Sequence, residues 1–281
     1  MSIEIIFNLC VVVFTVASLF AMGLELELRE AMKTLRSARA ILLILFWGWI
    51  VGPILAWLIT WILPVSDAYA AGLLLISMAP TAPFYPMMVA RAEGDMSAGA
   101  AYMLIAILAT VVLMPLLAPI VITGVAVDAW SLAKPLIVII LLPLLVGIGV
   151  QVYLPRLGAA VLPATKRLAT LFLIITLILT FWLYGREMLS AVGSFAPLSM
   201  VLFLVAITVF SNLFSAGLDR PQRSSMALAM CTRNVTALLA GYFGITDPPE
   251  DLFVIIILIV PLTALIAFVS ARIFAQNVSA N

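Results

Sequence analysis

Long apolar stretches alternate with short polar ones along the whole chain, and nine of them are long enough to cross a bilayer as helices. They cover about residues 3–24, 39–63, 69–91, 97–124, 130–153, 167–184, 195–217, 224–244 and 251–275. The polar stretches between them sort by charge. Arg29, Lys33, Arg36, Arg39, Arg91, Arg156, Lys166, Arg167, Arg220, Arg223 and Arg272 fall on one side of such a nine-span chain, and only Lys134 and Arg186 on the other. By the positive-inside rule this predicts a cytoplasmic C-terminus and an N-terminus outside.

Two spans break the pattern. The third contains "MAPTAPFYPMM", with Pro80, Pro83 and Pro86 within seven residues. Each proline removes a backbone donor and crowds the preceding turn, so an interrupted helix is expected, with a kinked helix as the plainer alternative. The eighth, "ALAMCTRNVTALLAG", carries Arg233, the one basic residue left over from that tally and the one deep inside a span. An Arg at that depth costs about 2.5–3.5 kcal/mol on insertion scales and usually faces a cavity or a partner.

No Asp or Glu lies within the interior of any span; the nearest to a membrane edge are Glu25, Glu93, Glu187 and Glu250. Two roles for Arg233 therefore stand open. Carbonyls released around Pro80 to Pro86 can wrap it, or it is a fixed cation that receives a carboxylate on its planar fork. Thr232, Asn234 and Thr236, with Thr81 and Tyr85 from the third span, supply hydroxyls and an amide that suit a small polar ligand. Ser77, Thr110 and Ser211 are expected to bond helical carbonyls instead.

Residues 78–95 and 230–247 can be laid over each other at an offset of 152, and the two spans concerned run in opposite membrane directions. That is the arrangement of an inverted repeat, in which two interrupted helices meet near the midplane. Nothing in residues 224–240 announces a break there, since the stretch has no Gly or Pro.

Composition narrows the classes. The chain is 65% hydrophobic and 10% charged, against about 45–50% and about 25% in soluble domains. An all-α integral membrane protein lying in a lipid bilayer is predicted, and a net charge of +1 gives no reason to expect nucleic acid. The first apolar stretch has no Lys or Arg before it and is as long as a full span, so it reads as a helix and not as a secretory signal. Histidine is absent, no metal site is expected, and Cys10 and Cys231 read as buried small hydrophobes. Met87 and Met88 read as gap-fillers; Trp61 fits an interfacial anchor, and Trp47, Trp49 and Trp57 fit packing.

At "AMGLELELREAMK" and at the two unusual spans the chain resembles the bile acid:sodium symporter family of the bile/arsenite/riboflavin transporter superfamily. The family's "MGL" matches Met22 to Leu24, its "GGTASN"-type segment matches "APTAPF" at 79–84, its "QN" matches Arg233 and Asn234, and its "GD" matches Gly94 and Asp95. The resemblance implies a transporter of two inverted repeats with two crossed discontinuous helices. A panel would comprise about 3–24, 130–153 and 167–184, and a core about 39–124 and 195–275.

The resemblance also implies which residues matter. Thr81 and Asn234 carry over as substrate residues. The family's Ser-Asn sodium ligands align with Pro83 and Phe84, or with Tyr85 and Pro86, and its key Glu aligns with Ala229. The sodium sites are degenerate, no cofactor is expected, and Arg233 stands where a sodium ion would be.

The reading is therefore a multi-pass plasma-membrane carrier, or an inner-membrane one if the source is prokaryotic, of a small organic anion, working by alternating access. Alternatives are a sodium-coupled symporter using other ligands, an arsenite- or auxin-type efflux carrier with Cys231 near the crossing, and a receptor or scaffold. An enzyme is not expected, for want of a His or a midplane carboxylate.

Overall fold

A computed structural model of the protein describes residues 3–26, 32, 36–121, 129–243, 245 and 248–279. Among them the architecture is helical throughout: α1 (Ile3–Glu25), α2 (Ala38–Ile62), α3 (Asp67–Met78), α4 (Tyr85–Arg91), α5 (Met96–Val121), α6 (Ala129–Tyr153), α7 (Pro155–Ser190), α8 (Ala196–Phe214), α9 (Arg220–Cys231), α10 (Val235–Phe243) and α11 (Glu250–Ser279). Arg29 and Lys33 of the basic tally, residues 122–124 of the fourth span and the distal end of the repeat lie outside the described residues.

Seven of these helices are long and apolar enough to cross a membrane. The third and eighth expected spans are instead each built from two short helices, α3 with α4 and α9 with α10. The sixth differs in another way. It was expected over 167–184, yet α7 runs unbroken from Pro155 to Ser190, so Arg156, Lys166 and Arg167 sit on a helix and not in a loop. Pro155 falls at its first turn, where a missing N–H costs nothing.

Local chemistry sets the ends. Ser66 accepts from the Tyr69 N–H at 3.3 Å to cap α3. Asp219 and Gln222 close a capping box on α9, with Gln222 N–H donating to the Asp219 carboxylate at 2.9 Å. In α2 and α6 a π-helical turn, Phe46–Val51 and Leu136–Leu141, ends two residues before Pro53 and Pro143. Gly52 N–H then reaches Trp47 and Leu142 N–H reaches Ile137, five residues back, a widening that makes room for a ring that would crowd the carbonyl four residues behind it.

The helix α1 packs along α6 and α7, while α8 packs on α9, α3 on α11, and α2 on α3. The approach of α1 to α6 is close enough that a Cβ added at Gly23 would lie 2.4 Å from the Leu144 carbonyl oxygen, and one at Gly147 would lie 2.3 Å from that of Phe20. Two glycines facing each other let backbones touch where lipid offers no hydrophobic gain for association.

Outward faces are strongly apolar. Trp61 and Ile120 are exposed, as a bilayer-facing surface requires; Trp47 and Trp49 are buried, but Trp57 turns outward and does not pack. The protein is a multi-pass membrane protein.

Candidate functional site

The chain leaves the helical path at two places, and those places touch. After Met78 the backbone extends through Ala79 to Ala82 before α4 begins; after Cys231 it extends through Thr232 to Asn234 before α10 begins. A helix end leaves carbonyls without partners, and a helix start leaves N–H groups without them. Here each break supplies the other. Asn234 N–H donates to the Pro80 carbonyl at 2.9 Å, and Nη1 of Arg233 donates to the Ala79 carbonyl at 2.9 Å.

The remaining ends are held from neighbouring helices. Thr263 of α11 donates its hydroxyl to the Cys231 carbonyl at 2.8 Å and accepts from the Arg233 N–H at 3.3 Å. Thr110 of α5 donates to the Met78 carbonyl at 3.4 Å. Asn234 Oδ1 accepts from the N–H groups of Thr236 at 2.9 Å and Ala237 at 3.4 Å, which caps α10. Both apolar stretches are therefore interrupted, including the eighth, where residues 224–240 have neither Gly nor Pro.

Arg233 is buried, 3% exposed, and its guanidinium carbon lies 5.6 Å from the centre of the Phe203 ring. One carbonyl and one ring do not exhaust a guanidinium. Its Nε and Nη2 are buried without a hydrogen-bond partner, as are Asn234 Nδ2 and Thr81 Oγ1. The junction of the two breaks thus combines a charged fork, an amide N–H₂ and a hydroxyl, all with donor capacity uncommitted.

The other expected residues have different neighbours. Thr232 donates to the Leu228 carbonyl at 2.8 Å within its own helix. Thr236 pairs its hydroxyl with that of Thr15 on α1. Tyr85 donates to the Ser225 carbonyl at 2.9 Å, which fastens the start of α4 to α9. Ser77 and Ser211 bond carbonyls of their own helices, and Cys231 is fully buried.

Pro83, Tyr85 and Pro86 line a cavity of about 710 Å³ between α1 and α7 on one side and α4 and α5 on the other. Arg233, Asn234, Thr81, Thr232 and Thr236 are not among its lining residues. Its walls include Phe14, Met22, Phe84 and Leu173, and its rim carries Glu25 and Lys166. Sequence reasoning missed Phe203, Thr263 and this rim. A lone Thr two residues after Pro261 in an apolar helix is the one signal that pointed to Thr263.

The family model for the sodium bile acid symporter family matches residues 12–192, from the middle of α1 to the end of α7 and the turn beyond it. The chain belongs to the sodium bile acid symporter family. It is a membrane transporter. The matched stretch includes the first break and all the residues that line the cavity. The second break, with Arg233 and Asn234, falls beyond it. No curated protein matches the chain.

Proposed function

We propose that the protein is a secondary carrier of a small organic anion that works by alternating access without a sodium ion, Arg233 standing in the place of that ion. The observation that carries this is the bond from the Arg233 guanidinium to the Ala79 carbonyl, made across the two breaks. A cation at this point holds a carbonyl freed by the interruption of α3, which is what a bound metal ion would otherwise do. A second cation would then be repelled: two unit charges 4 Å apart interact by about 4 kcal/mol at an effective dielectric near 20. The carrier substrate would be anionic because the uncommitted groups at the crossing, apart from the Thr81 hydroxyl, can only donate.

In this reading nine spans form two inverted repeats, with α3–α4 and α9–α10 as the crossed pair. The helices α1, α6 and α7 form a panel that packs together; the others form the core. The cavity between α1, α7 and α4, α5 is the open half of the path, and Lys166 on its wall supports assigning that half to the cytoplasmic side of a plasma or inner membrane. Arg233, Asn234 and Thr81 take the anionic end of the substrate once the core moves, and Tyr85 and Thr236 position the helices that carry them.

Uptake of labelled carboxylates, cholate among them, into proteoliposomes with and without a sodium gradient tests this. Equal uptake in both is expected, and strict sodium dependence defeats the uncoupled mechanism.

A further inference from the structure

The cavity has one basic lining residue and one acidic one among the described residues, and they are bonded to each other. Lys166 Nζ of α7 donates to Glu25 Oε1 at the end of α1, a pair 141 residues apart in sequence. Both side chains are about half exposed, 52% for Lys166 and 43% for Glu25, so the pair is not sealed inside the protein. Exposed pairs of this kind are weak, and lysine is a flexible point charge with no fixed fork to lose. One turn further along α7, Thr170 also lines the cavity, its hydroxyl donating to the Lys166 carbonyl at 2.9 Å. Beyond the pair the walls become apolar at Phe14, Met22, Phe84 and Leu173.

We propose that the Lys166–Glu25 pair is an exchangeable latch on the cavity: the carboxylate of an entering anion displaces Glu25 from Lys166, and Glu25 returns to Lys166 as the anion leaves. This rests on the carrier reading above. An entering carboxylate replaces one weak, wet ion pair by another of the same kind, so exchange in either direction is nearly balanced. A free Lys166 would hold the anion longer; the competing Glu25 makes its hold short. Lys166 therefore sets capture and Glu25 sets release, and the two act with opposite sign on affinity. A pair that only tied α1 to α7 would act with the same sign whichever member was removed.

The opposite signs are the test. Equilibrium binding of labelled cholate, a rigid apolar body with one carboxylate, is measured on the full chain in nanodiscs, with protein-free nanodiscs subtracted. E25Q is expected to bind about two- to fivefold more tightly and K166Q about two- to fivefold more weakly, the range that an exposed pair supports. K166R, which keeps the charge, should bind as the wild type does, and the gain from E25Q should vanish in E25Q/K166Q. Weaker binding by both single variants, or no cholate binding by the wild type, overturns the latch. Uptake by the same variants in proteoliposomes separates the two ideas. The expected binding shifts without flux keep the latch and defeat the carrier, whereas flux with binding indifferent to both variants does the reverse.

Discussion

The backbone N–H of Asn234 and the guanidinium of its neighbour Arg233 hold two consecutive carbonyls, Pro80 and Ala79, each at 2.9 Å. The backbone bond is available to any residue except proline, but the guanidinium bond is not, and it comes at a cost in stability. Burying an ion carries a penalty of several kcal/mol even after relaxation. Against it stand one charged hydrogen bond, about 1.5–3 kcal/mol, and one cation–π contact, about 0.5–2 kcal/mol. With Nε and Nη2 unpartnered, the penalty wins or the balance is even. R233M should therefore unfold at the same temperature as the wild type or higher, while anion uptake falls at least tenfold. Thermal unfolding in detergent beside uptake in proteoliposomes checks this, and a parallel loss of both would assign Arg233 to structure alone.

Thr81 gives a smaller version of the same contrast. Its hydroxyl is buried without a partner, so replacing it with the isosteric valine removes an unsatisfied group whose burial costs about 1–3 kcal/mol. T81V should gain stability of that order. If Thr81 meets the substrate during transport, uptake by T81V falls severalfold despite the gain. A more stable variant with unchanged uptake would remove Thr81 from the site.

These two residues also show where sequence reasoning stopped. The break in the third span was legible because three prolines cannot all be absorbed by a helix, and Arg233 was legible because nothing else in the span interiors carries charge. The break in the eighth span was not, because its cause is a cap and not a breaker. Asn234 turns its Oδ1 onto Thr236 and Ala237, and Thr263 from another helix takes up the Cys231 carbonyl. Asparagine before a run of apolar residues is an ordinary helix-start signal, but within one continuous apolar stretch it reads as an interior residue. The extent of α7 was hidden for a related reason: Arg156, Pro163 and Lys166 make residues 155–166 read as a connection, yet they continue the helix beyond the apolar part. The ion pair at the cavity joins residues far apart in sequence, and no local pattern reports it.

The facing glycines of α1 and α6 make a packing prediction with its own controls. At Gly23 and Gly147 an added Cβ would press on backbone atoms, which cannot turn aside as a side chain can. Overpacking of this kind costs about 1–3 kcal/mol. At Gly149 and Gly185 an added Cβ meets nothing within 4 Å, and both lie inside helices where alanine is the better former by about 0.5–1 kcal/mol. G23A and G147A should lower the thermal midpoint, whereas G149A and G185A should leave it level or raise it. Equal effects at all four would mean that the helices separate without strain.

The hydroxyls of Thr15 and Thr236 meet between α1 and α10, which in the proposed mechanism belong to parts that move past each other. Both residues are buried, so the bond is made in the state described here and must be broken or exchanged when the core shifts. A net hydrogen bond of this type is worth about 0.5–1.5 kcal/mol, which corresponds to a change of about two- to tenfold in a rate limited by that step. In T236V the Thr15 hydroxyl loses its partner but can turn back to the carbonyl of Val11 within α1, as threonines in helices do, so little is left unsatisfied. Uptake at saturating substrate should rise within that range in T15V and in T236V. The double variant should do no better than either single one, because both remove the same bond. The measurement is the maximal uptake rate with the half-saturating concentration recorded beside it. A rise in the rate points to the pair as a brake on the moving step, whereas an unchanged rate with weaker half-saturation would place Thr15 and Thr236 on the substrate's path instead.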